Sequence, residues 1–109
     1  MSLSWQLRNA GDRLVGAPDG RVDETTWEAF SGHLIAAVRD AAQAGLPLIV
    51  DLSRLEYMSS RGLRALTIGR REAGEAVKIT LAAPNARMRE ILAISRYDKL
   101  FTIADSVGS

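Results

Sequence analysis

Apolar and polar positions alternate at the start of this chain, recur every three or four residues in its middle, and run together in between. Trp5-Gln6-Leu7-Arg8 alternates as a half-buried strand does, and Asn9-Ala10-Gly11-Asp12 supplies turn residues. Arg13-Leu14-Val15 then opens a second strand, so the pattern predicts a hairpin. Gly16, Pro18, Asp19 and Gly20 predict an irregular stretch after it. Thr25-Thr26-Trp27-Glu28 fits a capping box in which Glu28 reaches back to the Thr25 amide. Trp27, Phe30, Leu34 and Val38 follow at spacings that turn one helix face toward a core, and Gly45 and Pro47 end that helix.

Leu48-Ile49-Val50 is an unbroken apolar run, the mark of a buried strand, and Asp51 is where it reaches solvent. A short loop follows, in which Leu55, Tyr57 and Met58 bring the chain back to the core. A helix from about Ser60 to Ala73 carries Leu63, Ala65 and Leu66 inward and leaves Arg61, Arg64, Arg70, Arg71 and Glu72 to solvent. Gly74 breaks it, and Val77-Lys78-Ile79-Thr80-Leu81 alternates as another strand. Pro84 and Asn85 start a third helix with Met88, Ile91 and Leu92 as its buried side, and Phe101-Thr102-Ile103 forms a short last strand. The order is two strands, then helix, strand, helix, strand, helix, strand. Elements that alternate in this way need crossover connections, which makes the later strands largely parallel and the crossovers right-handed.

At 109 residues the chain is too short for two independent cores, so residues 1–109 are read as one domain. The net charge of +1 gives no electrostatic reason to expect a nucleic-acid or membrane partner. No apolar run approaches the roughly 20 residues that span a bilayer, and the amino terminus lacks the apolar core of a signal peptide. The absence of cysteine removes disulfide and thiol chemistry and fits a cytoplasmic location.

Chemistry concentrates where the central strand gives way to the second helix. Ser59 and Ser60 are both candidates for the helix cap, because a short hydroxyl accepts from the free amides of a first turn. A serine there is also a favourable place for a phosphate, since a helix amino end attracts an anion. The two uses are compatible. Asp51 invites comparison with a phospho-accepting aspartate, but the first strands offer no acidic pair to hold a metal beside it. It is read instead as a strand-end residue that hydrogen-bonds the loop ahead of Ser59. His33, the single histidine, lies on a helix flank with neither cysteine nor a second histidine to make a metal site or a hydrolytic triad. No glycine-rich phosphate loop is present, and the Arg64-Arg70-Arg71 group has no interleaved aromatic residues of the kind that bind nucleic acid. Catalysis by this chain is not expected, and neither a cofactor nor a metal is implied.

Val50-Asp51-Leu52, Tyr57-Met58 and Ser59-Ser60-Arg61-Gly62-Leu63, in this order and spacing, resemble the signature of the STAS family, the sulphate-transporter and anti-sigma-antagonist domains. Gly20-Arg21-Val22-Asp23 resembles the family's early turn, and Pro84-Asn85-Ala86-Arg87-Met88 the turn that enters its third helix, so the resemblance covers nearly the whole chain. Aligned on Gly62, the family's phosphoacceptor falls on Ser60. Ser59 replaces the frequent aspartate before it, and Arg61 replaces a small residue after it. The resemblance implies an α/β fold with a mixed sheet and helices packed mainly on one face. It implies an anti-sigma factor antagonist that binds an anti-sigma factor with serine kinase activity, is phosphorylated by it on Ser60, and is reset by a serine phosphatase. The docking face it implies consists of Ser59, Ser60, Arg61, Gly62 and Arg64, with Tyr57 and Met58 packed beneath and Arg61 near enough to pin a phosphate. The alternative use of the same fold is a non-phosphorylated STAS subunit of a transporter or lipid-transport complex.

Overall fold

The alternating amino-terminal segment forms β1 (Leu3–Asn9) and β2 (Leu14–Val22), paired antiparallel from Leu3 opposite Gly20 to Asn9 opposite Leu14. In this computed structural model, which describes residues 2–108, β2 therefore runs straight through the stretch expected to be irregular. The reason lies in what borders it. β2 pairs in parallel with β3 (Leu48–Asp51) as far as Gly16, and with β4 (Leu55–Met58) from Gly20 onward. Pro18 falls in the gap between these two partners, where its missing amide costs the parallel side nothing. Gly16 is the seat of the Trp5 ring: a Cβ there would run into the indole, so the residue that looked like a breaker is a packing requirement.

Helix α1 (Trp27–Ala44) buries Phe30, Leu34, Ala37, Val38 and Ala41, with Trp27 packed against the edge of the core. Its start corrects the expected capping box. The Thr25 amide donates to Asp23 Oδ1 (2.9 Å), not to Glu28, and the residue at the cap position is Thr26. The Thr26 hydroxyl accepts from the Asp23 amide (2.9 Å) and donates to the Arg21 carbonyl (2.8 Å). An aspartate two residues ahead reaches these groups with less side-chain ordering than a glutamate a turn later. Gly45, at φ 68°, closes the helix in the left-handed conformation.

The remaining elements are α2 (Ser60–Ala73), β5 (Ile79–Ala82), α3 (Ala86–Ile94), a 3₁₀ turn at Tyr97–Lys99 and β6 (Thr102–Ala104). The sheet has six strands in the order β1-β2-β3-β5-β6, with β4 attached to β2, and every pairing except β1 with β2 is parallel. β4 is the strand missing from the five expected. Its register slips between Gly20 and Arg21, leaving Glu56 without a partner, so Leu55 and Met58 both reach the core and the two-residue alternation is lost.

The register also assigns the faces. Leu14, Leu48 and Ile79 stand side by side and share a core with Phe30 and Leu34 of α1, Leu63 and Leu66 of α2, and Met88 and Leu92 of α3. Val15, Ile49, Thr80 and Thr102 line the other face, outside that core. The helices thus pack on one side of a mixed sheet, as expected. α1 and α2 meet closely at Gly69, where a Cβ would collide with the Leu34 side chain.

Candidate functional site

The amino end of α2 is held from both sides. The Ser59 amide donates to the Val22 carbonyl (2.8 Å), which ties the end of β4 to the end of β2 just before the helix begins. Ser59 is extended, and its Oγ accepts from the Gly62 amide (3.3 Å) while its carbonyl takes the Leu63 amide (3.0 Å). Of the two candidate caps, Ser59 is the one that caps. It is 8% exposed, whereas Ser60 occupies the first helical position and is exposed. The amides of Ser60 and Arg61 have no intrahelical acceptor and point toward the same end.

Gly62 explains why the helix can start so close to the strands. A Cβ at this position would meet Met58 Cγ and lie 2.7 Å from Val22 Cγ1, so only glycine lets α2 rest on β2 and β4. Of the five residues expected on the docking face, Ser60, Arg61 and Arg64 are exposed, while Ser59 and Gly62 are buried and shape the site from below. Met58 packs beneath as expected; Tyr57 is half-buried.

Arg61 leans toward α1. Its Nε is 2.7 Å from Glu24 Oε2 and its guanidinium lies 5.7 Å from the centre of the Trp27 ring. A phosphate on Ser60 would have to compete with Glu24 for it. Next to Glu24, Asp23 accepts from both the amide and the hydroxyl of Thr25. The Thr25 side-chain bond, followed by the Thr25 amide and the Thr26 groups, holds the Asp23 carboxyl below the usual carboxylate range.

A second cluster adjoins this end and escaped the pattern reading. The guanidiniums of Arg21 and Arg87 each lie 4.9 Å from the centre of the Tyr57 ring. Both arginines belong to the segments that carried the family resemblance, but nothing in their spacing reveals that β2 and α3 bring them to one tyrosine. Asn85 fixes the approach of α3: its Oδ1 caps the Met88 amide (2.8 Å) and its Nδ2 donates to the Leu55 carbonyl of β4 (3.0 Å).

The other candidates have structural roles. Asp51 Oδ1 accepts from the Ser53 amide (3.0 Å), the loop role expected of it. His33 stacks on Trp5 at 5.6 Å with the rings 3° from parallel. Among the described residues no group of histidine, cysteine, aspartate or glutamate side chains could hold a metal ion, and no helix is long and apolar enough to cross a membrane. A cavity of about 430 Å³, lined by Arg70, Arg71, Lys78 and Phe101 among others, lies at the far end of α2 from Ser60.

The family model described as "Mlab, STAS domain" matches residues 6–103. The chain belongs to the STAS domain family. Solved structures share its fold. An anti-sigma factor antagonist from Mycobacterium paratuberculosis superposes with a TM-score of 0.85 at 23% identity, covering 97% of this chain and 88% of that one. An anti-sigma-factor antagonist (STAS) domain protein from Planctomyces limnophilus gives 0.79 at 17% identity, covering 94% and 90%. The Bacillus cell fate determinant SpoIIAA in its phosphorylated form gives 0.65 at 22% identity, covering 93% and 91%. At these identities the likeness speaks to the STAS fold. No curated protein matches the chain in sequence.

Proposed function

We propose that this STAS domain, residues 1–109 acting as one unit, is an anti-sigma factor antagonist whose partner binding is switched by phosphorylation of Ser60. The observation that supports this most is the division of labour between the two serines. Ser59 spends its hydroxyl on the Gly62 amide and is buried, so Ser60 alone offers a kinase an exposed hydroxyl at the helix start. The solved relatives described as anti-sigma factor antagonists, and SpoIIAA in a phosphorylated form, are consistent with such a switch.

The physics of the switch follows from its position. A phosphate adds about −1.5 to −2 charges at neutral pH. At the first position of α2 it meets a helix dipole and two free amides that favour it, so the domain itself stays folded. Its effect falls on the partner, through repulsion and desolvation in an interface made by Ser60, Arg61 and Arg64. The partner in this reading is a cytoplasmic anti-sigma factor with serine kinase activity, and a serine phosphatase restores the binding form. The domain performs no catalysis, carries no cofactor, binds no nucleic acid and inserts in no membrane.

Incubation with an anti-sigma kinase and ATP, followed by phosphosite mapping, tests the proposal. Label on Ser60 that vanishes in Ser60→Ala supports it. Label on Ser59 or Ser53 places the acceptor wrongly, and a domain that binds its partner tightly but is never labelled is instead an unmodified STAS subunit.

A further inference from the structure

Arg21 on β2 and Tyr57 on β4 are register partners, so they stand side by side at the carboxyl ends of their strands. Arg87, in the first turn of α3, reaches the same ring. With both guanidiniums 4.9 Å from one ring centre, the two cations are within about 10 Å of each other, comparable with the Debye length at physiological salt. Among the described residues no carboxylate forms an ion pair with either of them. Two nearby acids are committed elsewhere, Glu24 to Arg61 and Asp23 to Thr25 and Thr26. Glu90, three residues after Arg87 on α3, is exposed and forms no ion pair with it. Glu56, out of register on β4, is exposed and pairs with neither arginine. The tyrosine ring offsets part of the repulsion through its negative face. It also fixes the direction of both forks, whose outer N–H groups remain available to an anion.

We propose that Arg21, Tyr57 and Arg87 form the docking site for an acidic segment of a protein partner. Arg87 is exposed and Arg21 and Tyr57 are half-buried, so the group is an open shelf. A free phosphate on such a shelf would keep most of its water, whereas a chain with several carboxylates engages both forks at once. The ring is already covered by guanidiniums, which leaves it poorly placed to stack a base. Arginine and tyrosine are also the side chains that most often anchor protein interfaces. The amino ends of α2 and α3 lie at this same end of the sheet and add their positive field. The inference rests on the reading that this end docks a protein, and it does not depend on phosphorylation.

Titration of the ¹⁵N-labelled domain with a short polyglutamate peptide tests it, with polylysine of the same length and inorganic phosphate as separate arms. The expected result is a set of amide shifts centred on Arg21, Tyr57 and Arg87, an affinity that falls as salt rises, and no response to polylysine. Arg21→Ala with Arg87→Ala should weaken binding by about tenfold or more, as loss of charge-assisted hydrogen bonds does. Shifts centred elsewhere, no shifts, or an unchanged affinity in the double variant overturn the proposal. Saturation by phosphate without a response to polyglutamate makes this a small-anion site and overturns it as well. Should the double variant fail to fold, Arg87→Glu at its exposed position gives the same test. Absent Ser60 labelling with intact peptide binding removes the switch and leaves this site standing; the reverse removes this site alone.

Discussion

Gly62→Ala sets two effects of known sign against each other, and the structure says which wins. Alanine in place of glycine within a helix is worth up to about 1 kcal/mol. Against this, the new methyl group would lie 2.7 Å from Val22 Cγ1 and 3.2 Å from Val22 Cβ, besides its collision with Met58. Met58 is flexible but only 2% exposed, so it has nowhere to swing. Val22 is branched and fully buried, and its carbonyl is bonded to Ser59, so it moves only if β2 or α2 moves. Overpacking of this kind costs about 1–3 kcal/mol, and the upper half of that range applies here. The net expectation is a loss of about 1–2 kcal/mol, or roughly 4–8 °C in Tm for a domain of this size. Gly32→Ala is the control. Gly32 is exposed on α1 with nothing within 4 Å of its Cβ position, so the same substitution should stabilise by about 0.4–1 kcal/mol. Urea denaturation of both variants would read the two signs. If Gly62→Ala is as stable as Gly32→Ala, the close contact of α2 with β2 and β4 is wrong. Adding Val22→Ala to Gly62→Ala should also cost less than the sum of the two single changes.

Three further outcomes follow from named contacts. Phe30, fully buried between the sheet and the helices, should lose about 3–5 kcal/mol on change to alanine, and a denaturation midpoint near wild type would show the α1 register to be wrong. Asp23 has its pKa lowered in the folded state, so its contribution is fully present above the ordinary value of 3.8 and is lost as pH falls through the lower folded value. Compared with Asp23→Asn, which keeps an acceptor without the charge, the wild type should therefore lose stability more steeply in urea titrations below pH 3.8; parallel profiles would contradict this. Ser60→Asp should weaken partner binding less than a phosphate does. In calorimetry of the four-member cycle with Arg61→Ala, a coupling of about 0.5–3 kcal/mol would show that Arg61 leaves Glu24 for the new charge, and additivity would show that it stays.

The parts of this fold that rest on one strong period were legible in the sequence. Phe30, Leu34 and Val38 repeat without interruption, so α1 and its buried face could be read directly, and the same holds for Leu63 and Leu66 of α2. β4 could not be read because one unpaired residue, Glu56, destroys the two-residue period while leaving the strand intact. β2 looked broken because glycine and proline are usually penalties in a strand. Here Gly16 accommodates Trp5, and Pro18 sits where no parallel partner needs its amide. At the site, the motif placed the helix start correctly, but burial separated its members: Ser59 and Gly62 face inward, while Ser60, Arg61 and Arg64 face out. The meeting of Arg21 with Arg87 joins residues distant in the chain through two different elements, and no local pattern encodes it.

The bond from the Ser59 amide to the Val22 carbonyl closes a loop that contains all of α1, β3 and β4. During synthesis, the amino end of α2 cannot take its final form until that whole segment has left the ribosome and collapsed onto β2. A chain caught earlier has Ser60 on an uncapped, unanchored stretch with neither the dipole nor the neighbouring helix ends to set its surroundings. The same holds for a mature copy in which β4 has come away from β2. The Ser59 amide should thus be among the slowly exchanging protons of the molecule, and its exchange rate measures how long the site persists between openings. Presentation of Ser60 on a capped, anchored helix end is thereby coupled to the closing of this loop.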